Sequence, residues 1–286
     1  MQLFETIAGL QSFLREIRRE GKSVGLVPTM GALHEGHLSL MRAANAENDI
    51  VVVSIFVNPT QFGPLEDLTA YPRTLEADVH LAASAGVSVV FHPSAGEMYQ
   101  PGNSTWVEVD GSLTEGLCGR SRSGHFRGVT TVVSRFFNIV QPDRAYFGQK
   151  DAQQVQVIKR MTADLCFDIQ LRVLPIVREA DGLALSSRNA YLSKPERRAA
   201  LVLPRSLAQA RQMVEAGERD TAMITAAVSE FIRREPLAVI DYVELVNPDN
   251  LKPRQRLEGA CLLAIAVRIG KTRLIDNILL EAPACS

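Results

Sequence analysis

The run Ile50-Val-Val-Val-Ser-Ile-Phe56 is almost wholly apolar and rich in β-branched side chains, with no in–out alternation. Such a run suits a strand covered on both faces, as a central parallel strand is. Val24–Val27, Val87–Phe91, Ala145–Phe147 and Ile169–Val173 are shorter runs of similar character. Helical patterns separate them at Leu38–Glu47, Leu75–Ala85, Arg127–Val140 and Asp151–Ala163. Thr6–Glu20 precedes the series, with Ile7, Leu10, Phe13, Leu14 and Ile17 on one stripe and Gly21 as a stop. Strands alternating with helices predict an α/β protein built on a doubly wound parallel sheet. Its ligands should sit at the carboxyl ends of the strands.

The character changes after about Val177. Lys194–Gly217 and Thr221–Arg234 read as consecutive helices, followed by strand candidates at Ile240–Val246, Cys261–Val267 and Leu274–Leu280. Crowded late strands fit a smaller α+β module with an antiparallel sheet. The polar turn Arg178-Glu-Ala-Asp-Gly182 marks the junction. The expected organisation is a Rossmann-like nucleotide-binding domain over 1–177 and a C-terminal α+β lid domain over 178–286, with the site in the crevice.

A net charge of −1 without any basic stripe gives no long-range pull toward nucleic acid or an anionic membrane. Cys118, Cys166, Cys261 and Cys285 lie far apart and form no Cys-x-x-Cys pair, so free thiols in a reducing cytosol are expected. Met1 opens a charged amphipathic segment and not a signal peptide. No apolar run approaches the ~20 residues of a spanning helix. A soluble, cytoplasmic protein is the expectation.

The chemistry concentrates where strands end. Pro28-Thr-Met-Gly-Ala-Leu-His-Glu-Gly-His37 follows the first apolar run directly, which places a glycine-bearing turn and a helix start at a strand end. His34 and His37, three apart, share one face of a helix. The amides of a first helical turn bind phosphate, and Gly31 and Gly36 give room for the turn and for a ligand. Packing or capping explains one histidine in such a turn better than two. His-Glu-Gly-His is also similar to the His-Glu-x-x-His of zinc proteases, but that motif spaces its histidines at i, i+4 and needs a further ligand. The pattern therefore favours a nucleotide triphosphate over a metal.

Three more segments carry polar groups at comparable positions. Phe56-Val-Asn-Pro-Thr-Gln-Phe-Gly63 offers the amides of Asn58 and Gln61, although Asn-Pro alone is ordinary turn punctuation. Phe147-Gly-Gln-Lys-Asp151 puts Lys150 within reach of a phosphate, with Asp151 as helix cap or ligand. Gln153 and Gln154 follow in the first turn, where one of them should face the pocket. Ser186-Ser-Arg-Asn189 groups two hydroxyls with a guanidinium, a combination that clamps phosphate. For Gly124-His-Phe-Arg-Gly128, anion contact and tight helix packing explain the glycines equally well.

Taken together, these blocks give the chain a specific resemblance to the pantoate–β-alanine ligase family of the HIGH-motif nucleotidyltransferase superfamily. It rests on Pro28–His37, Phe56–Phe62, His125-Phe-Arg-Gly-Val129, Lys150-Asp151 with Gln153-Gln154, and Pro175–Glu179 leading into Leu185–Asn189. The resemblance implies an ATP-dependent condensation of pantoate with β-alanine to pantothenate, through pantoyl adenylate, releasing AMP and pyrophosphate. It implies Mg²⁺ arriving with ATP, no metal held by protein side chains, and a homodimer.

By the same resemblance, the stretch Met30, Gly31, Ala32, Leu33, His34, Glu35, Gly36 and His37 contacts ATP, with His34 and His37 on the phosphates. His37, His34 and Lys150 are the catalytic candidates. Lys150, Ser186, Ser187 and Arg188 hold the triphosphate, while Gly148, Gln149, Asp151, Val177 and Leu185 hold the nucleoside. Gln61, Gln154 and Asn58 bind pantoate and β-alanine. Gln149 stands where the family usually has Glu, so only its backbone is expected to contact ATP. Two rival readings remain at this point. One is a tRNA-charging enzyme of the same superfamily, against which balanced charge argues. The other is a nucleotide-binding protein without activity.

Overall fold

A computed structural model describes residues 1–64 and 66–281. The chain opens with β1 (Gln2–Phe4) and α1 (Ile7–Arg19), whose first turn is capped by Thr6 accepting from Gly9 N–H at 3.2 Å. Then come β2 (Val24–Thr29), α2 (Glu35–Glu47), β3 (Ile50–Ile55), α3 (Leu75–Ser84), β4 (Val89–Phe91) and the short helices α4 (Ala95–Met98), α5 (Ser112–Glu115) and α6 (Leu117–Ser121). α7 (His125–Val140), β5 (Arg144–Gly148), α8 (Ala152–Asp164) and β6 (Gln170–Leu174) complete the alternating series.

The six strands form one parallel sheet in the order β1-β4-β3-β2-β5-β6. Central β2 and β3 are buried along nearly their whole length, as their unbroken apolar runs require. From β2 the chain adds β3 and β4 on one side, then crosses to add β5 and β6 on the other. The order therefore reverses beside β2. Crevices at such reversals, outside the carboxyl ends of the strands, are where ligands bind in open α/β sheets.

Strand β1 escapes the sequence reading because three half-exposed edge residues carry no pattern; its register with β4, Leu3 beside Val90, supplies what its composition does not. The helix expected over Lys194–Gly217 is two, α9 (Lys194–Ala199) and α10 (Val202–Glu215). Pro204 has no N–H to give the carbonyl of Ala200, and proline is tolerated only in a first turn, so the helix restarts there. Next come α11 (Thr221–Arg233) and the antiparallel sheet β7 (Ala238–Val246), β8 (Ala260–Ile269) and β9 (Thr272–Glu281). Leu203, Leu207, Val214, Ile224, Val228 and Ile232 bury their side chains against Leu263, Ile265, Val267 and Leu274.

The chain forms two compact units: residues 1–109, 122–149 and 157–175 make one, and 110–121, 150–156 and 176–286 the other. The two early segments of the second unit are tied together by Gln153. Its carbonyl oxygen accepts from Cys118 N–H at 2.8 Å, and its amide donates to the Leu113 and Gly116 carbonyls, both at 2.9 Å. Cys118 and Cys261 are buried and Cys166 is exposed, all three as free thiols; Cys285 lies outside the described residues. Among the described residues, no helix is long and apolar enough to cross a membrane.

Candidate active site

Strand β2 delivers the chain to a turn whose conformation is held from a distance. Gly31 has φ +85° and Ala32 φ +50°, two successive residues in the left-handed region that glycine enters freely and alanine does not. Asp78 of α3, 2% exposed, accepts from Ala32 N–H at 3.0 Å and from Leu33 N–H at 2.8 Å. Those two bonds satisfy the amides that the turn leaves without a sheet partner. No feature of the sequence singles out Asp78, which looks like an ordinary acidic residue in a first helical turn. A cavity of about 320 Å³ borders the same turn, with Met30, Gly31 and Asp78 among its walls.

His34 is the extended N-cap of α2, and His37 is its third helical residue. The two imidazoles cap reciprocally: His34 Nδ1 accepts from Gly36 N–H at 3.2 Å and His37 Nδ1 accepts from His34 N–H at 3.3 Å. Their rings stack with centroids 4.1 Å apart. Because backbone donors occupy both Nδ1 atoms, each neutral ring carries its proton on Nε2. The helix start thus presents imidazole donors beside its first-turn amides. Glu35 turns away to an exposed ion pair with Arg42.

Gln61 joins this turn directly, its amide donating to Met30 Sδ at 3.1 Å. Asn58, expected to meet substrate, is 1% exposed and engaged within the protein. Its Oδ1 accepts from Thr60 N–H and from the Thr60 and Tyr99 hydroxyls, and its Nδ2 donates to Gln61 Oε1 at 3.0 Å and to Gly128 O at 3.1 Å. Asn58 therefore orients Gln61. Gly128 lets α7 lie on this loop, since a Cβ there would stand 2.4 Å from Thr60 O. That resolves Gly128 in favour of close packing, whereas Gly124 has open space around it and takes φ +76° just before α7; Arg127 lies over the Trp106 ring at 4.7 Å.

Gln149–Asp151 form a tight turn after β5, and α8 starts at Ala152, one residue later than expected. Asn277 donates to Lys150 O at 3.0 Å. Burial pushes the Lys150 ammonium below its ordinary range, Asp151 pulls it back up, and Arg188 lowers it again. The charge of Arg188 thus acts on Lys150, opposed by Asp151 and Asp276, an arrangement that an oligophosphate neutralises. Of the paired glutamines, Gln153 is buried in the bonds described above, leaving the partly exposed Gln154 as the one able to meet a ligand. Val177 and Leu185 are brought together across a hairpin, Leu185 N–H donating to Val177 O at 3.0 Å. Ser186 caps the turn that follows, accepting from Arg188 N–H at 3.3 Å. Met30–His37, Asn58, Gln61, Gly148 and Gln149 accordingly belong to one unit, and Lys150, Asp151, Gln154, Val177 and Leu185–Arg188 to the other.

The sequence profile of pantoate–β-alanine ligases matches residues 2–279. The chain belongs to that family. It is 60% identical to the pantothenate synthetase of Heliobacterium modesticaldum over 281 residues, covering 98% of this chain and all of that protein. It is 58% identical to the pantothenate synthetase of Moorella thermoacetica over 98% of this chain and 99% of the relative. The fold superposes on the crystal structure of the Thermus thermophilus pantothenate synthetase with a TM-score of 0.93 at 46% identity, over 97% of this chain and 99% of that one. The Francisella tularensis pantoate–β-alanine ligase, complexed with β,γ-ATP and β-alanine, gives 0.82 at 35% identity, over 98% and 97%. This chain is a ligase that condenses pantoate with β-alanine in an ATP-dependent reaction, and the tRNA-charging alternative falls away.

Proposed function

We propose that the first step occurs at the histidine cap of α2. A pantoate carboxylate oxygen attacks the α-phosphorus of ATP, the bond to the β-phosphate oxygen breaks, and pyrophosphate leaves. The Nε2 protons of His34 and His37, fixed by their capped Nδ1 atoms, donate to phosphate oxygens as charge builds there; Met30–His37 lines ATP. The cations Lys150 and Arg188, with Ser186 and Ser187, hold the triphosphate. Gly148, the Gln149 backbone, Asp151, Val177 and Leu185 hold the nucleoside. Donors preorganised toward developing charge lower such a barrier most. In the second step the β-alanine amine attacks the acyl carbon, AMP departs with its oxygen, and the nitrogen sheds a proton to leave the amide. Gln61 and Gln154 bind pantoate, Gln61 also lies near β-alanine, and Asn58 acts through Gln61.

The observation that carries this reading is the reciprocal capping of His34 and His37, which aims two imidazole donors from a helix start at a strand end. Mg²⁺ enters as the ATP complex, as the resemblance to the family implies. We also assign a cytoplasmic location from the dispersed cysteines, a lid role to the C-terminal module that carries the Ser186–Arg188 clamp, and, from family resemblance, a homodimer. Light scattering should then give about twice the 31.4 kDa chain mass.

The test is incubation with ATP, pantoate and β-alanine, omitting each in turn. Pyrophosphate should need only ATP and pantoate, and AMP with pantothenate should need all three. His37→Ala should slow pyrophosphate release by ~10²-fold or more with little change in ATP affinity. Unchanged turnover, or zinc bound stoichiometrically and lost with either histidine, would overturn these roles.

A further inference from the structure

His125 lies outside every role assigned so far, yet it is 9% exposed and both its ring nitrogens meet polar partners. Nδ1 stands 2.8 Å from the Gln61 carbonyl oxygen, and Nε2 stands 2.9 Å from Nη1 of Arg122. A guanidinium nitrogen can only donate, so Nε2 must accept and bear no proton. The ring proton therefore sits on Nδ1, where it donates to the Gln61 carbonyl. Arg122 cannot swing away to relax this choice. Its Nε and Nη2 grip the two carboxylate oxygens of Glu66 at 2.6 and 2.7 Å, and Glu66 Oε2 accepts from Gly63 N–H at 3.2 Å. Burial raises the Glu66 carboxyl, but the bonds and charge of Arg122 outweigh that and hold it at about 2. The fork thus stays charged and fixed at any physiological pH.

We propose that His125 is a positioning residue for pantoate. Locked by Arg122 in its Nδ1-protonated form, it anchors the backbone of Gln61 and so sets where the Gln61 carboxamide points. The inference rests on the proposed contact between Gln61 and pantoate. Two further holds on the same segment make the anchor effective: Asn58 fixes the carboxamide from one side, and Gly128 seats the loop on α7. Backbone and side chain of Gln61 are thereby held independently. Loss of the first should leave the residue present but misaimed, which acts on substrate affinity before it acts on chemistry.

Asparagine and glutamine in place of His125 separate this role from simple packing. The Asn amide nitrogen falls where Nδ1 stands, whereas the Gln amide reaches the position of Nε2. His125→Ala and His125→Gln should raise the KM for pantoate by roughly tenfold, with kcat and the KM for ATP within about twofold. His125→Asn should recover most of the loss. Gln61→Ala serves as the reference. If it leaves the pantoate KM unchanged, the reading of Gln61 fails and this inference with it; if it raises that KM while His125→Ala does not, only the inference fails. Equal behaviour of the Asn and Gln variants would overturn it as well. Should the alanine variant not fold, the Asn–Gln comparison still decides. Independently of activity, ¹⁵N-histidine correlation spectra, assigned by the signal missing in His125→Asn, should show a neutral ring protonated at Nδ1. A proton on Nε2 would refute the lock.

Discussion

Replacing Asp78 with alanine removes the carboxylate that accepts from the Ala32 and Leu33 amides, at a turn held in left-handed conformation. A buried donor left unsatisfied costs ~1–3 kcal/mol, so Asp78→Ala should lower the midpoint of urea unfolding and slow pyrophosphate release together. Loss of either effect alone would mean that the carboxylate does not set the turn. Glu66 gives a prediction with a defined pH window. Folding depresses its carboxyl from 4.5 to about 2. Its contribution is therefore complete above about 4.5 and drains away as pH falls toward 2. Glu66→Gln should flatten stability across that acid window, by at most ~3 kcal/mol and by less to the extent that solvent screens this partly exposed pair. An unchanged acid limb would show the pair to be weak.

Between elements, the decisive contact is the seat of the Asn58–Gln61 loop on α7. A Cβ at Gly128 would stand 2.4 Å from Thr60 O and 2.7 Å from Gln61 Cα, both backbone atoms that cannot swing aside. Gly128→Ala should thus cost about 1–3 kcal/mol through overpacking, although alanine is the better helix former. It should also weaken pantoate binding; a variant as stable as the parent would place the loop elsewhere. The same contact shows the limit of motif reading. Gly128 fits an anion site as well as a packing site in one dimension, and only the approach of Thr60 decides between them. Asn58 changes role for a similar reason: an amide beside a proline is visible in the chain, but not that five groups from four residues of the folded protein converge on it.

At the scale of the whole molecule, each compact unit is assembled from discontinuous segments, so single side chains carry the joins. Gln153 is one such join, with three backbone groups of 110–121 satisfied by one carboxamide. Gln153→Leu should destabilise the protein by ~1–3 kcal/mol for the groups left unpaired and make 110–121 the first segment cut in limited proteolysis. Protection equal to that of the parent would show the segment to be held by other contacts.

What the sequence determined by itself is what periodicity and strand-end position encode. The doubly wound sheet follows from the unbroken run at Ile50–Phe56 and the helical stripes around it, because burial on two faces leaves no alternation to misread. The histidine turn is legible because glycine and two imidazoles fall together just after a strand. The tertiary structure decided what depends on which atoms come to face one another. The edge strand β1 exists through its register with β4. Asp78 on the Met30–Leu33 turn, the protons of His34 and His37 on Nε2 and that of His125 on Nδ1 are likewise set by facing atoms. A hydrogen bond is directional and pairs specific atoms, so its partner cannot be read from a chain until folding has brought the two within about 3 Å.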